Sequence, residues 1–252
     1  MKYRCLATDY DGTIAFDGKV DAATVASLQR VRAAGHRLIM VTGRELTDLF
    51  NTFDQIDLFD LVVAENGATL YDPRTKEIVI LAPPPPESLT ARLMEHNVPF
   101  SVGHSIVATV EPHEQTLIAA IHDLRIDWHV IFNKGSVMAL PSDVTKATGL
   151  ASALDVVGVP WAATIGVGDA ENDLPFLRRC GFAAAVRNAL PSVQEIADLV
   201  TAEVRGAGVA ELIGGWLNGG PSVRHAGARQ ERDAGASHRG TSRRLLPRSA
   251  RE

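Results

Sequence analysis

The order in which strand-like and helix-like segments follow one another constrains this chain most. Short β-branched runs at residues 4–8, 37–42 and 60–64 alternate with helix-like segments at 21–34 and 45–53. Strands separated by helices need crossover connections, so this βαβαβ order predicts a parallel sheet. The first helix carries its own ends: Asp21 as N-cap, Val25, Leu28 and Val31 on one stripe, and Gly35 as the C-terminal stop. The alternation resumes after Ser142, with a helix over 145–157 stopped by Gly158, a strand at 163–167, a helix through Leu174 and Leu177, and a strand at 183–186. Residues 1–82 and 143–215 are therefore expected to build one α/β domain, a Rossmann-like parallel sheet with helices on both faces.

Between the halves lies a different pattern. Pro83–Pro86 cannot extend a strand or a helix and reads as a stiff linker. After it come a helix around Leu89 and Leu93, strands at 98–102 and 105–110, a helix with Leu117, Ile121 and Leu124 on one face, and strands at 128–132 and 136–140. This αββαββ order predicts a small α+β cap over residues 83–142, with an antiparallel sheet covered by helices on one face.

Residues 216–252 hold eight Arg and no Lys against three carboxylates, a local charge of +5 that leaves the first 215 residues at −10. With Gly, Ser, Arg, His and Ala but almost no apolar periodicity, this segment reads as a disordered Arg-rich tail whose partner is unknown. An acidic body argues against nucleic acid as partner of the core. No run of apolar residues reaches the length of a membrane span, and Asp9 and Asp11 interrupt any signal-peptide pattern, so the expected location is the cytoplasm, as a monomer or homodimer. Cys5 and Cys180 lack metal-ligand spacing and read as small core residues.

The chemistry-bearing residues stand where strands end. Asp9-Tyr10-Asp11-Gly12-Thr13 follows the first strand directly. It is no calcium loop, because Val20 stands where the twelfth position needs a bidentate Glu. Thr42-Gly43-Arg44 after the second strand offers a hydroxyl and backbone N–H groups at a helix start, suited to phosphate oxygens. Lys146 opens a helix after the insertion. Gly166-Val167-Gly168-Asp169-Ala170-Glu171-Asn172-Asp173 follows a later strand and is no dinucleotide fingerprint, since Glu171 replaces the third glycine.

Asp9 and Asp11, then Thr42, then Lys146, then Asp169, Asn172 and Asp173, all at strand ends and in this order, resemble the four motifs of the haloacid dehalogenase superfamily of phosphotransferases. Glu65-Asn66-Gly67-Ala68 and Arg187-Asn188-Ala189 look like its Cof-type branch with an inserted C2-type cap, close to phosphoglycolate and sucrose phosphatases, although Arg187 replaces the usual Gly. The resemblance covers residues 4–215 and implies a Mg²⁺-dependent phosphatase of a small phosphate monoester, either a phosphoglycolate-like acid or a sugar phosphate. It makes Asp9 the nucleophile that becomes an aspartyl-phosphate and Asp11 the acid and base. Thr42, Gly43, Lys146 and Asn172 would hold the phosphoryl group. Asp9, Asp11 (through its carbonyl), Asp169 and Asp173 would surround the metal, with Asn172 and Asp173 also supporting the loop. A hard divalent cation makes physical sense here, because converging carboxylates otherwise repel and raise one another's pKa. Substrate contacts are expected from Arg44, Asn66, His104, His129 and Lys134, although Asn133-Lys134-Gly135 is also a good hairpin turn. A phosphomutase would use Asp9 identically but return the phosphate to sugar. A non-enzymatic binding module with an anion-binding tail is the reading from another class.

Overall fold

The computed structural model describes residues 2–133 and 135–219. The first stretch runs β1 (Cys5–Thr8), α1 (Ala22–Ala33), β2 (Arg37–Val41), α2 (Leu46–Thr52), β3 (Leu61–Ala64), β4 (Thr69–Asp72) and β5 (Glu77–Ile80). The insertion follows as α3 (Glu87–Glu95), β6 (Ser101–Val102), β7 (Val107–Val110), α4 (Glu114–Asp123), β8 (Trp128–Asn133) and β9 (Ser136–Pro141). The last stretch is α5 (Lys146–Val157), β10 (Thr164–Gly168), α6 (Leu174–Leu177), β11 (Phe182–Ala185), α7 (Pro191–Ile196), β12 (Leu199–Val200) and α8 (Arg205–Leu217).

Among the described residues the strands form two sheets, ordered β12-β11-β10-β1-β2-β3-β4-β5 and β6-β7-β9-β8. In the large sheet, β12 through β3 are parallel. β1, β3, β10 and β11 are buried at every position, the pattern of strands covered on both faces by crossover helices. Asp21 caps α1 as its sequence position predicts, its carboxylate accepting the Thr24 amide at 2.8 Å. Thr145 does the same for α5 in a reciprocal capping box, and Gly158 ends that helix with φ 65°.

Three features differ from the sequence expectation. The large sheet is mixed, because β4 and β5 form an antiparallel hairpin at its edge. Its strands have four residues each, too short for a period to stand out, and the turn between them relies on Lys76 at φ 61° rather than on a glycine. In the insertion the strand expected over 98–102 shrinks to Ser101–Val102. The tail expected from residue 216 begins inside α8, whose Val209, Leu212, Ile213 and Trp216 form one buried stripe. Trp216 is 1% exposed, and its ring lies 4.5 Å from that of His36. Burying such a side chain stabilises by a few kcal/mol, at the upper end of about 1.5–3. Residues 220–252, the remainder of the expected tail, lie outside the described residues.

The small sheet separates two apolar clusters by its alternation. Val107, Val137 and Ala139 join Leu89, Leu93, Leu117 and Ile121 beneath α3 and α4. The other face carries Ile106, Met138 and Leu140, which meet Ala68 and Val144 from the larger unit. The small sheet thus turns one face toward the carboxyl ends of the large sheet's strands.

Candidate active site

Parallel register aligns the strand ends that carry the candidate residues. Thr8 pairs with Met40 on one side and Val167 on the other, so Asp9, Thr42 and Asp169 leave the sheet along one edge. This is the crevice at the carboxyl ends of strands where open α/β sheets form their sites. Gly12 at φ 85° turns the chain immediately beyond Asp11. Asn188 fixes that turn from the end of β11, its amide donating to the Gly12 carbonyl at 2.8 Å.

At the centre, Lys146 sits at the start of α5 and is 2% exposed. Its Nζ donates to Asp9 Oδ1 at 2.6 Å and to Asp173 Oδ1 at 2.7 Å. Burial works against the ammonium charge, but the two carboxylates more than offset it and hold the lysine above its ordinary value. Asp9, 4% exposed, is pushed up to about 6 by burial and by the neighbouring Asp173 charge, with Lys146 pulling the other way. Asp173 Oδ2 accepts the amides of Asp169 and Ala170 at 2.9 and 3.0 Å, so both of its oxygens are engaged and it clamps the loop. Thr13 donates to Asp169 Oδ1 at 3.2 Å.

Carboxylate oxygens of Asp9, Asp169 and Asp173 lie within 4.8 Å of one another, all three buried. Three buried carboxylates against one lysine leave an excess of negative charge, and an all-oxygen donor set suits a hard divalent cation. The residues present therefore fit Mg²⁺. The Asp11 side chain stands apart from this group. Arg44 grips it through two bonds, Nε to Oδ2 at 2.7 Å and Nη2 to Oδ1 at 2.8 Å, and reaches Asp48 at 2.6 Å. Those hydrogen bonds hold the guanidinium above its ordinary pKa.

Asp9, Asp11, Gly43, Arg44, Glu45, Asp48, Ser101, Ile106, Ala108, Ser136 and Met138 line a cavity of about 510 Å³ between the two sheets. Thr42 is fully buried, and its hydroxyl accepts the Arg44 amide at 3.1 Å. Asn66 lies deeper, its side-chain oxygen accepting from Asn172 at 2.9 Å and its amide contacting Met138 Sδ at 3.3 Å. Asn172 thus points toward Asn66 and leaves its own Oδ1 buried without a partner. His104 binds Glu65 rather than the cavity, and His129 is not among the cavity-lining residues. Lys134 lies outside the described residues. Sequence reasoning assigned no role to Glu45, Asp48 or Glu65. The first two share a helix start with Arg44, so a carboxylate at Arg44 plus four was a readable signal. Glu65 stood out only as the first residue of Glu65-Asn66-Gly67-Ala68, and its pairing was not readable because its side-chain partners lie about 40 residues away.

The model of the haloacid dehalogenase-like hydrolase family matches residues 6–111 and 95–213. Phosphoglycolate phosphatase of Methanothermobacter thermautotrophicus is 31% identical over 217 residues, covering 83% of this chain and 97% of that protein. The 5-amino-6-(5-phospho-D-ribitylamino)uracil phosphatase of Bacillus subtilis is 26% identical over 264 residues, covering 82% and 95%. Among solved structures, a haloacid dehalogenase-like hydrolase from Bacteroides thetaiotaomicron superposes with a TM-score of 0.72 at 20% identity, over 84% of this chain and 99% of that one. A subclass IIB sugar phosphatase gives 0.68 at 19% identity, over 82% and 96%.

Proposed function

The chain belongs to the haloacid dehalogenase-like hydrolase family and is a phosphatase, and from that premise we propose that it hydrolyses a small phosphorylated acid or sugar through a phosphorylated Asp9. The observation that carries this reading is the buried Asp9–Lys146–Asp173 chain, with Asp169 beside it, under a 510 Å³ cavity whose lining includes Asp9 and Asp11.

In this reading the Asp9 carboxylate attacks phosphorus and the ester oxygen leaves. Lys146 orients Asp9 and balances charge on the transferring group. Thr42 and the Gly43 backbone hold phosphoryl oxygens at the start of their turn. Asp11, released from the Arg44 fork and protonated from solvent, donates that proton to the departing alkoxide and then takes one from the water that hydrolyses the intermediate. Asp9, Asp169 and the Asp11 carbonyl would hold Mg²⁺, with Asp173 fixing the loop that carries Asp169. Bound there, the cation would neutralise carboxylate and phosphoryl charge together. Residues 83–142 act as the cap in this account, closing the cavity with Ser101, Ala108, Ser136 and Met138. Arg44 is the candidate to meet the rest of the substrate.

The test is phosphate release from a panel of small monoesters with and without Mg²⁺, comparing the full chain with Asp9→Asn. Metal-dependent release lost in the variant supports the proposal. Activity that instead requires a bisphosphate primer, without free phosphate, supports the phosphomutase.

A further inference from the structure

The turn after β3 touches three of the loops that build the site. Glu65 and Asn66 both adopt positive φ, 50° and 52°, folding the chain back on itself. From this turn the Glu65 amide donates to the Arg44 carbonyl and the Asn66 amide to the Thr42 carbonyl, each at 3.0 Å. The Asn66 side chain accepts from Asn172. Gly67 lies so close to the Thr145 carbonyl that a Cβ would collide with it, one residue from Lys146. Three residues thereby brace the loops carrying Thr42, Lys146 and Asp169.

The Glu65 side chain runs the opposite way, into the insertion. It is fully buried. Its Oε1 accepts from the His104 backbone amide and faces His104 Nδ1, each at 3.0 Å, and its Oε2 accepts the Ser105 amide at 2.8 Å. Ser105 Oγ reaches back to the Ala82 carbonyl at 2.7 Å. A buried carboxylate is tolerated only while its acceptors are filled, and here the segment at 103–105 fills them. If that segment lifts, the charge is left unsatisfied within the turn that holds the catalytic loops.

We propose that Glu65 is a positioning residue that latches the insertion in register over Asp9, so that the segment at Gly103–Ser105 and the loops at Thr42 and Asn172 are held as one unit. The activity arm of the test rests on the phosphatase reading, whereas the exchange arm does not.

Glu65→Gln keeps the side chain's shape but sets an NH₂ group against N–H donors. Amide hydrogen exchange on the full chain should accelerate at His104 and Ser105 by about tenfold or more, while the amides of Leu6, Ile39 and Val167 in the central strands keep their protection. With a sugar phosphate, kcat/KM should fall by about tenfold or more. Gly103→Ala presses on the same latch from the other side, because its Cβ would lie against the Glu65 carboxyl group, and it should reproduce the pattern. It also carries the test alone if Glu65→Gln fails to fold. Unchanged exchange at His104 and Ser105, or a rise shared equally with the central strands, overturns the proposal. A wild-type chain that releases phosphate from no ester would sink the phosphatase reading and leave the exchange result to decide the latch.

Discussion

Replacing Lys146 by Met tests how the centre of the site is held together. The variant keeps the length and apolar stem of the side chain and removes the ammonium that bonds Asp9 at 2.6 Å and Asp173 at 2.7 Å. All three side chains are at most 5% exposed, so water does not replace the lost partner. Breaking a buried ion pair by deleting one member costs about 3–5 kcal/mol, since the survivor's charge stays buried. At about 2–4 °C per kcal/mol for a domain of this size, Tm should fall by about 6–20 °C in thermal unfolding with EDTA present. Adding Asp173→Asn removes one of the two orphaned charges, so the double variant should be more stable than the sum of the single losses implies. A Tm loss below about 4 °C for Lys146→Met would match an exposed pair worth at most about 1 kcal/mol and would refute the buried network.

Other consequences are cheaper to check. Cys5 and Cys180 are 0% and 4% exposed and burial raises both thiols, so a thiol reagent near pH 8 should label them only as fast as the native chain unfolds; immediate labelling would contradict their burial. Ending the chain after Gly219 should leave phosphate release unchanged, whereas ending it after Gly215 removes Trp216 and should cost about 3–5 kcal/mol in denaturant unfolding; equal stability of the two would contradict its place in the core. Burial holds His129 below its ordinary value of 6.5, with Asp143 pulling partly the other way. The neutral ring therefore contributes stability above pH 6.5 that is lost as pH falls, and its NMR titration midpoint should lie below 6.5; a higher midpoint would refute the half-buried, neutral ring.

Where the sequence was legible, the determinants are local. Asp21 and Gly35 frame α1 because a cap and a stop act within one turn, and Asp9, Thr42 and Asp169 could be placed together because parallel register carries every strand end to one edge. The β4–β5 hairpin was not legible, since two four-residue strands carry too little periodicity and the turn uses no glycine. The stripe of α8 was obscured by its own glycines, Gly206, Gly208, Gly214 and Gly215, which weaken the helix signal while Trp216 supplies the burial. At the site, residue types pointed to the right chemistry, but pairings did not follow from them. That Arg44 grips Asp11, that Asp173 bonds Lys146, and that Glu65 faces His104 depend on contacts spanning 27 to 39 residues.

In the proposed mechanism Asp9 itself becomes phosphorylated. The most direct measurement is acid quench of the full chain during turnover of an active monoester with Mg²⁺, followed by mass spectrometry of the peptide containing Asp9. A phosphoryl group on Asp9 that forms within one turnover, decays with the release of phosphate, and is absent in Asp9→Asn is the predicted result. Phosphate release at full rate in Asp9→Asn, or a phosphoryl group on another residue, would contradict it.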